Sequence, residues 1–136
     1  MTDTELCRLA IKAMENSYSP YSDYRVGAAL LTETGKVYTG CNIENSAFSP
    51  TCCAERTAVF KAVSEGERAF SKIAIAGGKR GEGLNETISP CGVCRQVLAE
   101  FCRPDFEILL VISEDDYKAT TLGELLPLAF SSDNIK

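Results

Sequence analysis

Three cysteines and one glutamate, set in two short segments, have the types and spacing to bind a metal ion and move protons beside it. Cys53-Ala54-Glu55 is one segment and Pro90-Cys91-Gly92-Val93-Cys94 the other. The chain of 136 residues contains no histidine, which excludes a nitrogen-ligated metal and any Ser-His or Cys-His nucleophile pair. Cysteine must supply the metal site, and a carboxylate must carry the protons. A catalytic zinc takes three protein ligands and keeps a fourth position for water. Cys53, Cys91 and Cys94 are the candidates for those three ligands.

Cys91 and Cys94 stand at i and i+3 and share one face of a first helical turn, with Pro90 at the helix entry. Cys53 also falls at a helix start. Helix N-termini favour negative charge and lower thiol pKa values. Three thiolates around Zn²⁺ carry a net charge of −1, which Arg56 is placed to draw away; Arg95 is a second candidate for that role. Glu55 follows Cys53 by two residues, almost opposite it on a regular helix, yet side chains near a helix start lean toward its N-terminus and both can reach the space beyond. A Cys or His ligand, Glu two residues later, and then Pro-Cys-x-x-Cys is the pattern of hydrolytic deamination at zinc. In that chemistry hydroxide attacks the amino-bearing ring carbon, a ring nitrogen is protonated and ammonia departs. Cys52 is a rival ligand by adjacency, but only Cys53 precedes Ala-Glu. Cys7, Cys41 and Cys102 read as small buried apolar residues.

Periodicity outlines the elements that must hold these groups. Leu6, Leu9, Ala10, Ala13 and Met14 recur at helical spacing, predicting an amphipathic helix over residues 4–16. Val26–Leu31 and Lys36–Cys41 read as a strand pair joined across Glu33-Thr34-Gly35. Ala54–Val63 is helical and is stopped by Gly66. Ile73–Ala76 is a short strand, followed by a long glycine-rich loop over Gly77–Ser89 suited to substrate or subunit contact. Cys91–Phe101 is a second site helix, closed by Pro104. Phe106–Ile112 and Tyr117–Thr120 are strands, and Thr121–Leu126 is a short last helix. Strand-helix-strand units imply right-handed crossovers and parallel neighbours. The expected fold class is α/β, a three-layer α/β/α sandwich around a mixed, roughly five-stranded sheet, with residues 1–136 forming one domain.

Composition narrows the partners. The net charge of −5 argues against a nucleic-acid polymer, whose binding depends on Lys and Arg neutralising phosphates. No stretch approaches the roughly 18–20 apolar residues of a membrane span, and the charged N-terminus has no signal-peptide core. A cytoplasmic location is expected. Seven cysteines, an odd number with no secretion signal, fit metal ligation in a reducing compartment better than a disulfide framework. A small polar molecule is the expected partner.

Taken together, the segments resemble the small homotetrameric zinc-dependent cytidine deaminases. The resemblance spans about residues 18–130 and is carried by Pro20-Tyr21-Ser22, the stretch from Val26 to Leu31, Gly40-Cys41-Asn42-Ile43-Glu44-Asn45, Cys53-Ala54-Glu55-Arg56-Thr57-Ala58, the stretch from Ser89 to Val97, and Glu124-Leu125-Leu126-Pro127. It implies one Zn²⁺ per subunit on Cys53, Cys91 and Cys94, with Glu55 as proton shuttle and Arg56 tempering the thiolate charge. It further implies that Asn42 and Glu44 hydrogen-bond the ribose, that the Ala54 N–H meets the pyrimidine 2-carbonyl, that Tyr24 lies near the base, and that Phe130 stacks on the base from a neighbouring subunit of a homotetramer. The implied reaction converts cytidine and deoxycytidine to uridine and deoxyuridine in pyrimidine salvage. Tyr24 stands where the family commonly has Phe, and Phe48 where Tyr is common near the sugar.

Two rival readings bracket this one. A deaminase of another small aminopyrimidine, such as blasticidin S, shares the zinc motifs, but the Cys41–Asn45 segment favours a nucleoside. A structural zinc module needs four closed ligands, with Cys52 or Cys102 as the fourth, and has no use for Glu55.

Overall fold

The computed structural model describes residues Met1–Lys136. Helix α1 (Asp3–Ala13) begins in a capping box, in which the Thr2 hydroxyl accepts from the Glu5 N–H and the Glu5 carboxylate accepts from the Thr2 N–H. These bonds satisfy two N–H groups left unpaired at the helix start. A 3₁₀ turn (Met14–Asn16) continues the helix. Strands β1 (Tyr24–Thr32) and β2 (Val37–Cys41) form the expected antiparallel hairpin. Then follow α2 (Ala54–Ser64), β3 (Phe70–Lys79), α3 (Gly92–Phe101), β4 (Glu107–Ser113), β5 (Asp116–Thr121) and the single turn α4 (Leu122–Leu125).

The five strands form one mixed sheet in the order β2-β1-β3-β4-β5. Only β3 and β4 are parallel neighbours. The crossover through α2 does not place β3 beside β2. It carries β3 past the hairpin to the far side of β1, where the two pair antiparallel. Of the two strand-helix-strand units, only the one through α3 gives adjacent parallel strands.

Alternation along the strands divides the core. Ala29, Ala74, Ala76, Leu109 and Val111 face α1 and meet its Leu6, Cys7 and Ala10 and, in the 3₁₀ turn, Met14. Ala28, Leu30, Ile73, Ile75, Ile108 and Leu110 point to the other face, under Ala58, Val59 and Ala62 of α2 and Leu98 of α3. Each fully buried Leu, Ile or Val contributes about 1.5–3 kcal/mol, so both helix layers are firmly held. The result is the three-layer α/β/α arrangement, with both site helices on one face.

Strand β3 runs further than the apolar pattern indicates. Gly77 and Gly78 lie within it, paired with Val26 and Arg25 of β1, and the expected loop starts only after Lys79. A Cβ at Gly77 would sit 2.3 Å from Ile88 Cδ1, and one at Gly78 would sit 2.4 Å from the Gly83 carbonyl oxygen. The two glycines belong to the strand because the following loop folds back on it.

Candidate metal centre and active site

Cys53 and Cys91 occupy the same structural position on different helices. Each is the N-cap, with extended backbone (φ −73°, ψ 158° and φ −66°, ψ 168°), and neither makes a side-chain capping bond. Their thiols are free to project beyond the helix starts. Because Cys53 precedes the helix proper, the angular conflict with Glu55 disappears: Glu55 is the second residue of α2 and Cys53 is not on the helical spiral. Cys94 is the third residue of α3.

The two helix starts converge. The Sγ atoms of Cys53, Cys91 and Cys94 all lie within 4.8 Å of one another, and Cys53 and Cys91 are 3.6 Å apart. Tetrahedral zinc with Zn–S bonds of 2.3 Å requires S···S separations of about 3.8 Å, so the trio fits that ion. No other Cys, Asp or Glu joins the set. Cys52 and Cys102 stand outside it, and burial raises both thiol pKa values, that of Cys102 to about 12. The donor set is three soft thiolates with no fourth protein ligand, the composition of an open zinc site rather than a closed structural one.

Charge around the trio is arranged unevenly. Hydrogen bonding from Cys94, followed by the Arg56 and Cys91 contacts, brings the Cys53 thiol down to about 5 against the opposing effect of burial. The partner thiol of Cys94 is raised, chiefly by the same hydrogen bond. An Arg56 guanidinium nitrogen lies 3.5 Å from Cys53 Sγ and 3.4 Å from the Thr51 carbonyl oxygen. Its Nε is buried without a protein partner. Arg56 thus has the thiolate-facing place read from sequence.

Arg95 does not share that role. It donates to the carbonyls of Pro90 and Leu125 and to the Ser89 hydroxyl, bracing main chain rather than sulfur.

Glu55 is 4% exposed. Burial pushes its carboxyl up to about 7, and the Cys53 charge acts in the same direction; its own N–H and the Cys94 thiol oppose them. A carboxyl with that affinity for protons can both take and release one near neutrality.

Gly40 and Thr57 fix the height of α2 above the sheet, and their contribution is not evident from the motifs. The Thr57 hydroxyl bonds the carbonyls of Cys41 in β2 and Ala54 in α2. A Cβ on Gly40 would lie 2.4 Å from the Ala54 oxygen. The signal available in sequence was a glycine inside a strand, which marks close backbone approach.

Beside the metal centre, Tyr21, Ser22, Glu44, Phe48 and Thr51 line a cavity of about 440 Å³. The Thr51 carbonyl joins this cavity to Arg56. The Glu44 carboxylate accepts from the Tyr21 and Ser22 N–H groups and from the Ser22 hydroxyl. Those bonds, the hydroxyl's foremost, hold its pKa below the usual carboxylate range. Ser22 is a partner that sequence reasoning missed. Asn42 Oδ1 accepts from the Val26 N–H and the Ser17 hydroxyl, while Nδ2 donates to the Tyr24 carbonyl. One amide proton of Asn42 is left for a ligand. Phe48 holds φ +62° and packs edge-on against Tyr21, 5.9 Å between centroids.

Two expected base contacts lie apart from this cavity. Tyr24 is half-buried in β1, its ring edge over Gly77. Phe130 is 61% exposed and lines neither the cavity nor the cysteine cluster. Ala54 is the first residue of α2, and with no side-chain cap on that helix its N–H keeps a free donor at the site.

A family model described as the cytidine and deoxycytidylate deaminase zinc-binding region matches residues 1–109, which include all three cysteines, Glu55 and Arg56. The chain belongs to the cytidine and deoxycytidylate deaminase family. Among its family relatives, the cytidine deaminase of Sporosarcina psychrophila is 52% identical over 124 residues, covering 91% of this chain and 88% of that protein. The crystal structure of cytidine deaminase from Burkholderia pseudomallei superposes with a TM-score of 0.86 at 45% identity, covering 96% of this chain and all of the other. The blasticidin-S deaminase of Bacillus cereus is more distant, 32% identical over 95% of this chain and 92% of its own length. Membership in this family makes zinc the metal that suits the thiolate trio. No helix is long and apolar enough to cross a membrane.

Proposed function

We propose that this chain catalyses the zinc-dependent hydrolytic deamination of cytidine and deoxycytidine to uridine and deoxyuridine, releasing ammonia. The observation that carries the reading is a buried glutamate beside three converging thiols with no fourth protein ligand. Zinc held by Cys53, Cys91 and Cys94 supplies a Lewis acid that makes water nucleophilic at neutral pH. Glu55 takes a proton from the attacking water as C4 of the pyrimidine is attacked, passes it to the adjacent ring nitrogen, and moves the second to the leaving amino group. The Ala54 N–H holds the 2-carbonyl and so orients the ring. Glu44 and the spare amide proton of Asn42 take the ribose hydroxyls, and the Glu44 negative charge disfavours a phosphate there.

Phe130 is exposed in the single chain and reaches a neighbouring subunit's base in a homotetramer. Exposed Phe60, Val93 and Leu128 support such an assembly. A cytoplasmic role in pyrimidine salvage fits the nucleoside substrate.

The test is the ultraviolet absorbance change of cytidine with zinc-loaded protein, run beside Glu55→Gln. Conversion by the parent, with zinc retained and turnover reduced by several orders of magnitude in the variant, is the expected result. Near-parental turnover in Glu55→Gln would remove Glu55 from the proton path, and preference for blasticidin S over cytidine would move the substrate assignment.

A further inference from the structure

Arg95 makes the widest set of side-chain hydrogen bonds near the thiols, and every one runs to another segment. Its Nε donates to the Pro90 carbonyl at 2.7 Å, and its two terminal nitrogens donate to the Leu125 carbonyl at 2.6 Å and the Ser89 hydroxyl at 3.0 Å. The next residue, Gln96, donates from Nε2 to the Phe130 carbonyl at 2.8 Å. Ser89 and Pro90 lead into Cys91. Leu125 and Phe130 bracket the arm that follows α4. One turn of α3 therefore carries Cys94, grips the loop before Cys91, and fastens the arm at both ends.

Within its own chain the middle of the arm has little else to fix it. Leu128 is fully exposed at φ +55°. Beneath the arm lies a cavity of about 650 Å³, whose walls include Phe101, Cys102, Leu122 and Leu126. An arm bridging a cavity takes its position from its ends, and those ends are held by Arg95 and Gln96.

We infer that Arg95 and Gln96 are positioning residues that couple the metal-ligand loop to the C-terminal arm, so that zinc occupancy and arm order rise and fall together. The inference rests on the reading of Cys53, Cys91 and Cys94 as zinc ligands. Coupling of this kind is reciprocal: whatever fixes the arm also tightens the metal, and the converse. The planar guanidinium fork is essential to it, because a lysine at 95 keeps the charge but presents a single head that cannot reach three divergent acceptors.

The chain contains no tryptophan, so Phe130→Trp gives a sole indole on the arm while keeping the carbonyl that Gln96 binds. Indole anisotropy reports arm order, and competition with a chelator reports zinc affinity, both at a protein concentration where light scattering shows one unchanged assembly state. In the Phe130→Trp background, stripping zinc should lower the anisotropy. Adding Arg95→Lys should weaken zinc binding by about 10- to 100-fold and leave the anisotropy low even at saturating zinc. Gln96→Met, which spares the Pro90 contact, should also loosen the arm with zinc bound. Anisotropy indifferent to zinc, or an Arg95→Lys protein with parental affinity and arm signal, overturns the coupling. Should Arg95→Lys fail to fold, unchanged anisotropy in Gln96→Met overturns it equally. A parent protein that binds no zinc sinks the metal reading itself, and the coupling with it.

Discussion

Replacing Gly40 by alanine tests how α2 is held over the sheet. The added Cβ would lie 2.4 Å from the Ala54 oxygen, 2.4 Å from Thr57 Oγ1 and 2.5 Å from the Ala58 nitrogen, where ordinary contact begins near 3.4 Å. Two of these three atoms are backbone, so rotamer changes cannot relieve the overlap, and the first turn of α2 must recede by about 1 Å, the difference between 3.4 and 2.4 Å. Cys53 and Glu55 ride on that turn, whereas Cys91 and Cys94 ride on α3 and stay behind. A displacement of about 1 Å in a catalytic group costs about 100-fold in rate, and forcing a methyl into a packed contact costs about 1–3 kcal/mol of stability. The expected outcome is kcat/KM for cytidine down about 100-fold, zinc affinity down by at least about tenfold, and a melting temperature lowered by several degrees. Gly92→Ala is the control. It lies at the start of the other site helix, where a Cβ meets nothing within 4 Å, and alanine there should be neutral or stabilising by about 0.5–1 kcal/mol. Gly40→Ala with parental kcat/KM and zinc affinity would refute the claim that this contact sets the site geometry.

Arg56→Gln removes the cation beside Cys53 while keeping a donor of similar reach; zinc affinity by chelator competition should fall by about 10- to 100-fold. Thiol reactivity in the zinc-free protein at pH 8 should follow the shifts: Cys53, brought to about 5, alkylates first, whereas Cys7 and Cys102, raised by burial to about 11 and about 12, stay protonated and unmodified in peptide mass spectra. Glu44, its pKa lowered by the Ser22 hydroxyl and two backbone N–H groups, stabilises the folded state above the ordinary glutamate pKa of about 4.3. That contribution is lost as pH falls through the lower folded-state value. Acid unfolding followed by circular dichroism should therefore be less steep in Glu44→Gln over this range, and an identical profile would detach Glu44 from acid stability.

The thiol cluster was legible because its chemistry is local. Thiols at i and i+3 and a lone Cys-Ala-Glu carry their meaning in a few residues, and the absence of histidine left no competing donor. The placement of β3 was not legible. Gly77 and Gly78 read as loop by composition, and only the return of Ile88 and Gly83 across them explains why a strand needs glycine there. Glu55 looked misdirected on an ideal helix until Cys53 proved to be a cap. Arg95 could not be separated from Arg56 by type; what distinguishes them is which carbonyls come within reach, a tertiary fact. The same holds for Asn42, whose amide is mostly spent on bonds to β1 and to Ser17 ahead of that strand.

Both helices that carry the thiol cluster start without a side-chain cap, because the cap position of each is a cysteine. An Asn, Asp, Ser or Thr in each place is worth about 1 kcal/mol, so the chain forgoes about 2 kcal/mol of a stability that for proteins in general is about 5–15 kcal/mol. A metal held by the three thiols would tie these two helix starts together and so offset that loss. Newly made chain cannot bring the three thiols together until Cys94 has been added, 41 residues after Cys53. The unloaded protein is therefore expected to lose stability as well as turnover, because a metal that binds only the folded chain adds to its stability.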